Sequence, residues 1–245
     1  DDLRVWSFIE ETAEYSFNME RYQELMKQQG HLGLPSVFVP RVNIQNLFVS
    51  FAGVMNTVYL LADSEDAVES YFKSLSIGQE KFLRMLADSP LEWINYGDNL
   101  HCKILPPDLF KKYVIPEYEK RGDILHRAGK FVFSHWDGDV KDLLPYAHDC
   151  ALDGIEAITP EPQGDVTVEE MKEALGDDVF LIDGLAALLF NDVYPLEDLK
   201  KQVQQVLDLF AGQLVLGISD EFPSDGKLER IVYVRDMVEE FNAKH

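Results

Sequence analysis

The chain has 245 residues, 46% of them apolar, with 15 Phe and 10 Tyr, which is enough to bury a substantial core within one large domain. Its formal net charge of −22 repels phosphate backbones and anionic lipid, so neither nucleic acid nor a membrane surface is an expected partner. Only Cys102 and Cys150 occur, in no CxxC pair, which argues against a disulfide framework and a thiolate zinc site and fits a reducing cytoplasm.

In chain order, residues 3–29 read as a helix, with Trp6, Phe8 and Ile9 early and Tyr22 and Leu25 later. "SVFVPRVN" (36–43) reads as a strand, followed by a helical stretch to about residue 88. "LEWINYGDN" (91–99) is the next strand, and Pro106-Pro107 opens a helix running to about Gly129. "KFVFSHWD" (130–137) is a strand followed by a helix over roughly 140–152, and "GIEAITP" (154–160) is another. Thr167, with Glu170 three residues on, predicts a capping box at the start of the next helix. "VFLIDG" (179–184), a helix at 196–210, "QLVLGISD" (213–220) and a helix at 227–243 complete the series. No signal peptide and no membrane-spanning apolar run is visible.

Short apolar strands alternating with amphipathic helices predict βαβ units and a parallel sheet. The count is six strands, whereas a closed (β/α)8 barrel needs eight. Either the sheet is open and doubly wound, or two N-terminal units are absent from this chain. Its start at Asp1-Asp2-Leu3, without Met, favours the second.

Polar residues gather where the strands stop: Asp98 and Asn99, His135 and Asp137, Glu156, Asp183, and the adjacent pair Asp220 and Glu221. In a parallel barrel the C-terminal strand ends share one rim, and chemistry is built there from several strands. One His and several carboxylates on a rim form an N/O set suited to Zn²⁺, Mn²⁺ or Fe²⁺. Each residue has a plainer role as well. Asp98 and Asn99 suit a turn or a helix cap, Glu156 an outward-facing position and Asp183 a turn before Gly184. His101 is a second-tier candidate, whereas His31, His126, His148 and His245 read as surface residues.

The stretch "YGDNLHCKILPPDLFKKYVIPEYEKRGDILHRAGKFVFSHWDGDVKDLLP" resembles the uroporphyrinogen decarboxylase superfamily, whose members share a Gly-Asp strand end, Pro-x-x-Phe, Pro-x-Tyr and a His-x-Cys-Gly-Asp/Asn segment. The resemblance runs from about 91 to 243. It implies a (β/α)8 TIM barrel of which this chain holds the last six βα units, a single barrel domain over 1–245. One branch of the superfamily decarboxylates a porphyrinogen without metal. Another comprises zinc methyltransferases that exchange a methyl group with a corrinoid protein. The family histidine falls on His135 and its first cysteine on Asp137. The strand glutamate falls on Glu156 and the second cysteine on Asp220 or its neighbour. Both thiolates are thus replaced by carboxylates, which can still bind a metal.

The resemblance is strongest to the O-demethylase methyltransferases. It implies zinc held by His135, Asp137, Glu156 and Asp220, acting as a Lewis acid on the oxygen of a small-molecule methyl ether. Cobalamin, carried on a partner corrinoid protein, accepts the methyl group. Asp98 joins His135 and Asp137 in the expected catalytic set. Tyr96, Trp136 and Phe222 are expected to form an apolar wall for an aromatic ring, unless they fill the core under the rim, with Asn99 and Asp183 also on the substrate. The rivals are a metal-free decarboxylase, which the acidic rim disfavours, and a non-catalytic binding module. The apolar stretch 3–9 leaves a homo-oligomer open.

Overall fold

The computed structural model describes residues 2–244. It contains the six strands that the apolar runs predict: β1 (Ser36–Val39), β2 (Trp93–Tyr96), β3 (Phe131–His135), β4 (Gly154–Glu156), β5 (Phe180–Ala186) and β6 (Leu214–Ser219). They form one parallel sheet in the order β1-β2-β3-β4-β5-β6. Every strand therefore neighbours its successor. A doubly wound sheet reverses direction at a switch point, so this order lacks the doubly wound signature and is consistent with part of a barrel.

The helices are α1 (Asp2–Thr12), α2 (Met19–Gln29), α3 (Asn43–Gln45), α4 (Gly53–Asp63), α5 (Glu65–Ala87), α6 (Pro107–Leu109), α7 (Ile115–His126), α8 (Val168–Leu175), α9 (Leu196–Phe210) and α10 (Leu228–Lys244). Three expectations are corrected. The single helix at 3–29 is two helices, because the Asn18 side chain accepts from the Arg21 N–H and starts α2 afresh. The strand at 36–43 stops at Val39, where Pro40 removes the ladder donor. The helix at 140–152 is a 3₁₀ segment at Leu144–Cys150: Pro145 lacks an N–H, and Asp165 Oδ1 takes the N–H of Val140 and Lys141 at 2.9 and 3.2 Å.

The chain divides into two compact units. The first holds the residues up to Asp98 with Asp108–Phe133 and Asp149–Ala151. Its strands pair from Ser36 opposite Trp93 to Val39 opposite Tyr96. Just past β2, Asp98 is fully buried. Its carboxylate accepts from the Val42 N–H at 2.7 Å and from the Tyr118 hydroxyl at 2.6 Å, and its carbonyl accepts from Gln45 at 2.6 Å. Burial pushes this carboxyl up, opposed by the Arg121 charge, the two hydrogen bonds and the Arg41 charge. Arg121 is itself buried and donates to the Pro40 carbonyl at 3.0 Å and to Gln79 Oε1. Asp98 thus ties β2 to the chain after β1 and to α7. Its donors account for its burial without any substrate.

The second unit holds Asn99–Pro107, Ser134–His148 and the residues from Leu152 onward. The predicted capping box is present, with Thr167 and Glu170 exchanging bonds at 3.2 and 2.9 Å. The stripe Leu199, Val203, Val206, Leu207 and Phe210 buries one face of α9, at the spacing of an amphipathic helix. Gln202 on the same helix accepts from the Ala186 N–H and donates to the Glu161 carbonyl, each at 2.8 Å, locking the end of β5.

Asp98→Ala strips the acceptor from two buried donors, at a cost on the order of 3 kcal/mol or more. Denaturant unfolding should show that loss while the metal content of the folded fraction stays at the parental level. A variant of parental stability would contradict the structural role given to Asp98.

Candidate metal centre

β3 ends at His135, and the chain turns so that Asp137 remains on the same side. The His135 imidazole is gripped at one nitrogen, since Nδ1 lies 2.9 Å from Glu156 Oε2. Its other nitrogen, Nε2, lies 3.9 Å from Asp220 Oδ1. Candidate ligand atoms of His135, Asp137 and Asp220 all fall within 4.8 Å of one another. All of these residues belong to the second unit.

That closeness is informative about the sheet. His135 ends β3 and Asp220 follows β6, three strand intervals away in the sheet order. At about 4.8 Å per interval, a flat sheet would separate them by roughly 14 Å. Side chains 3.9 Å apart therefore require the sheet from β3 to β6 to curl around them. The register places Glu156 opposite Ile182, one residue before Asp183, while β5 and β6 run on side by side to Ala186 opposite Ser219.

Asp183 joins the group from β5. Burial, then the Glu156 charge, push its carboxyl up to about 7, against the His135 charge and a backbone hydrogen bond from Ala157. Asp220 is likewise raised by burial and by the Asp137 charge. For His135, burial acts downward, but the hydrogen bond to Glu156 and the charges of Glu156, Asp137 and Asp220 outweigh it and raise the imidazole above its ordinary value. Carboxylates crowded around one imidazole, with protons favoured on both acid and base, form a site that lacks positive charge. The donor set, one imidazole nitrogen and carboxylate oxygens, is what a divalent Zn, Mn or Fe ion accepts.

The backbone at these positions is unusual. Ala157, Asp183 and Asp220 have φ of 66°, 77° and 68°, in the left-handed region that non-glycine residues rarely enter. Two residues support this: Gly217, and Ser219, which belongs to the polar strand end Ser219-Asp220-Glu221 and has no role assigned from the sequence. A Cβ at Gly217 would collide with Asp183 Oδ1. The buried Ser219 hydroxyl donates to the Ile158 carbonyl at 2.9 Å and accepts from the Gly184 N–H at 3.2 Å, fixing β6 against the ends of β4 and β5. The only sequence signal for either is a small or polar residue inside "LVLGIS".

The other expected residues scatter. Tyr96 and Trp136 are fully buried. Tyr96 packs at 5.0 Å on the Tyr118 ring and under Arg121 at 5.3 Å. Both rings thus belong to the core, the plainer of their two readings, and form no open wall. Phe222 is half-buried, edge-on to Phe190 at 5.9 Å. Asn99 is exposed, at φ 52°. The cluster takes Asp220 and not the adjacent Glu221. Glu156 stands behind the histidine and outside the cluster of ligand atoms. His101 packs over Gly138, with Nδ1 3.2 Å from the Asp139 carbonyl. His31, His126 and His148 are exposed, and His245 lies outside the described residues.

The sequence matches no family model, and no curated protein matches it. Solved structures do share its fold. A methyltransferase from Methanosarcina mazei superposes with a TM-score of 0.68 at 15% identity, covering 90% of this chain. This chain spans 63% of that protein's length. A B12-independent methionine synthase from Shewanella sp. W3-18-1, in complex with selenomethionine, gives 0.56 at 11% identity, over 96% of this chain and 70% of that one. A vitamin-B12-independent methionine synthase candidate from Listeria monocytogenes gives 0.56 at 13%, over 95% and 71%. At such identities the likeness establishes the α/β fold with its parallel sheet.

A carboxyl that keeps its proton up to about 7 in the fold lends stability that is complete below the ordinary carboxylate range and lost as pH rises through 7. Asp183→Asn mimics the protonated state and suits the left-handed backbone. In chelator-treated protein its stability gain over the parent should be near zero at pH 4 and grow up to pH 7. Above that it should level off on the order of 2–4 kcal/mol. Chemical denaturation at four pH values reads this out, and a pH-independent difference would refute the assignment.

Proposed function

We propose that His135, Asp137 and Asp220 bind a divalent metal ion, zinc, and that the chain is part of a methyltransferase. The observation that carries this reading is the convergence of their ligand atoms within 4.8 Å, with Glu156 engaging the far nitrogen of the histidine. A carboxylate behind a ligating histidine is the usual support of a protein metal site. Methyl transfer draws further support from the neighbours' own names, one a methyltransferase and two called methionine synthases. The corrinoid protein as methyl acceptor and a methyl ether as donor rest on the resemblance of residues 91–243.

When bound, the ion would supply Lewis acidity to the ether oxygen, while the corrinoid would supply the nucleophile. The chain's own residues have separate tasks. His135, Asp137 and Asp220 hold the ion, and their three donors leave a position for substrate. Asp183 lies close enough to interact with Glu156, His135 and Asp220, and we assign it to hold the substrate beside the ion. The departing oxygen takes its proton from water. Asp98 has no part in this.

The chain is further proposed to supply six of eight βα units of a barrel. In support, β1 and β6 are the end strands of the sheet and carry exposed apolar side chains, Phe38 at 65% and Val215 at 43%. Neither cysteine is in a disulfide. Among the described residues, no helix is long and apolar enough to cross a membrane. A cytoplasmic site of action is part of the same proposal.

Elemental analysis of the purified protein should find about one zinc per chain, with less than a tenth of that in His135→Ala and Asp137→Ala. With a reduced corrinoid protein and a methoxyaromatic donor, the cobalt absorbance should report methylation in the parent and a loss of at least ~100-fold in both variants. A well-folded parent without metal would overturn the proposal in favour of a binding module.

A further inference from the structure

The resemblance offers Glu156 as a metal ligand, and the geometry points elsewhere. We infer that Glu156 is a positioning residue: by accepting a hydrogen bond from His135 Nδ1 it fixes the neutral imidazole as the Nδ1–H tautomer and directs the Nε2 lone pair at Asp137 and Asp220. This inference rests on the metal-centre reading.

Four observations carry it. Glu156 Oε2 lies 2.9 Å from Nδ1, a full hydrogen bond, and Nε2 is the nitrogen that faces Asp220 at 3.9 Å. An ionised carboxylate only accepts, so the proton in this bond belongs to the imidazole. The same two strands are tied once more beside it, where the Trp136 N–H donates to the Glu156 carbonyl at 2.9 Å. The residue after His135 thus fixes the backbone of the residue that fixes His135. Finally, the two side chains are only 15% and 21% exposed, so water competes weakly for the bond. The left-handed turn at Ala157 follows directly and ends β4 with Glu156 as its last residue.

A ligating role and a positioning role predict different responses to substitution. In Glu156→Gln the size is kept, but the amide can donate to Nδ1. That favours the Nε2–H tautomer, which has no lone pair for a metal. Glu156→Leu removes the partner without imposing the wrong tautomer. If Glu156 positions, Gln is therefore worse for metal binding than Leu. A direct ligand would lose as much in either variant, and a merely structural acid would suffer more from Leu.

The test has two readouts. The first is long-range ¹H–¹⁵N correlation on metal-free protein at alkaline pH. It should show His135 as the Nδ1–H tautomer in the parent and as Nε2–H in Glu156→Gln. The second is zinc affinity by competition with a chromophoric chelator. It should fall about 10–100-fold in Glu156→Gln and less in Glu156→Leu. A parent imidazole protonated on Nε2, or Leu losing as much zinc as Gln, would overturn the inference. A parent that binds no zinc overturns the metal-centre reading instead, and the tautomer measurement remains independent of it.

Discussion

Parallel pairing in chain order is the constraint on which the rest depends. Because β3, β4, β5 and β6 run in one direction and adjoin in sequence, their C-terminal ends rise on one side of the sheet. Pairing alone would leave the His135 and Asp220 backbones roughly 14 Å apart. Side-chain tips 3.9 Å apart need the curl of the sheet as well as the reach of the two side chains. Nothing local to any one strand could do this. The end of β3 contributes His135 and Asp137, β4, β5 and β6 contribute one side chain each, and the sheet supplies their mutual distance. Ser219, bonded to the ends of β4 and β5 from β6, holds the curl where those side chains meet.

The second determinant is electrostatic, and two buried acids show it by contrast. Asp98 and Asp183 both sit at strand ends and both are pushed up by burial. Around Asp98 the other causes act downward: the Arg121 and Arg41 charges, the Tyr118 hydroxyl and the Val42 N–H. Around Asp183 the neighbours include Glu156 and Asp220, which push it up further, and His135 is the counter-charge. The first carboxyl, raised by burial, thus faces cations and hydrogen-bond donors, whereas the other belongs to a group deficient in positive charge. A divalent ion corrects that deficiency in one step, whereas protons correct it one site at a time. The shifted acids and the raised imidazole are two responses to the same missing charge.

Legibility in the sequence follows the range of the interaction that sets each feature. The six strands were legible because short apolar runs between helical patterns admit few other structures, and α9 was legible to the residue because its stripe is uninterrupted. The capping box at Thr167 and Glu170 is a contact within one turn. Where a local competitor intervened, the reading failed: the Asn18 cap split the first helix, and Asp165 drew away the N–H groups needed at 140–152. The His135-Asp137 pair was legible as a strand-end signal, but the division of labour around it was not. Glu156 reads as a ligand or an outward residue until it is known which ring nitrogen it meets. Trp136 and Tyr96 look like a substrate wall only while the depth of their burial is unknown.

Backbone strain links this division of labour to stability. Non-glycine residues in the left-handed region cost about 1–3 kcal/mol each and persist where the surroundings over-determine them. Of the five among the described residues, Ala157, Asp183 and Asp220 fall beside or within the site, and Asn99 and Ala151 lie elsewhere. For the two aspartates the cost is moderated, since short polar side chains tolerate that region. Ala157 has no such relief. Its conformation is held by the hydrogen bond from its N–H to the Ile182 carbonyl at 3.3 Å and by the tie between the Trp136 N–H and the Glu156 carbonyl just before it. Relaxing Ala157 toward an ordinary strand would carry Glu156 with it, and His135 would lose the partner that orients it. The strain is therefore located where a small change in backbone would do most harm to the geometry, in the one turn that sets the angle of the histidine.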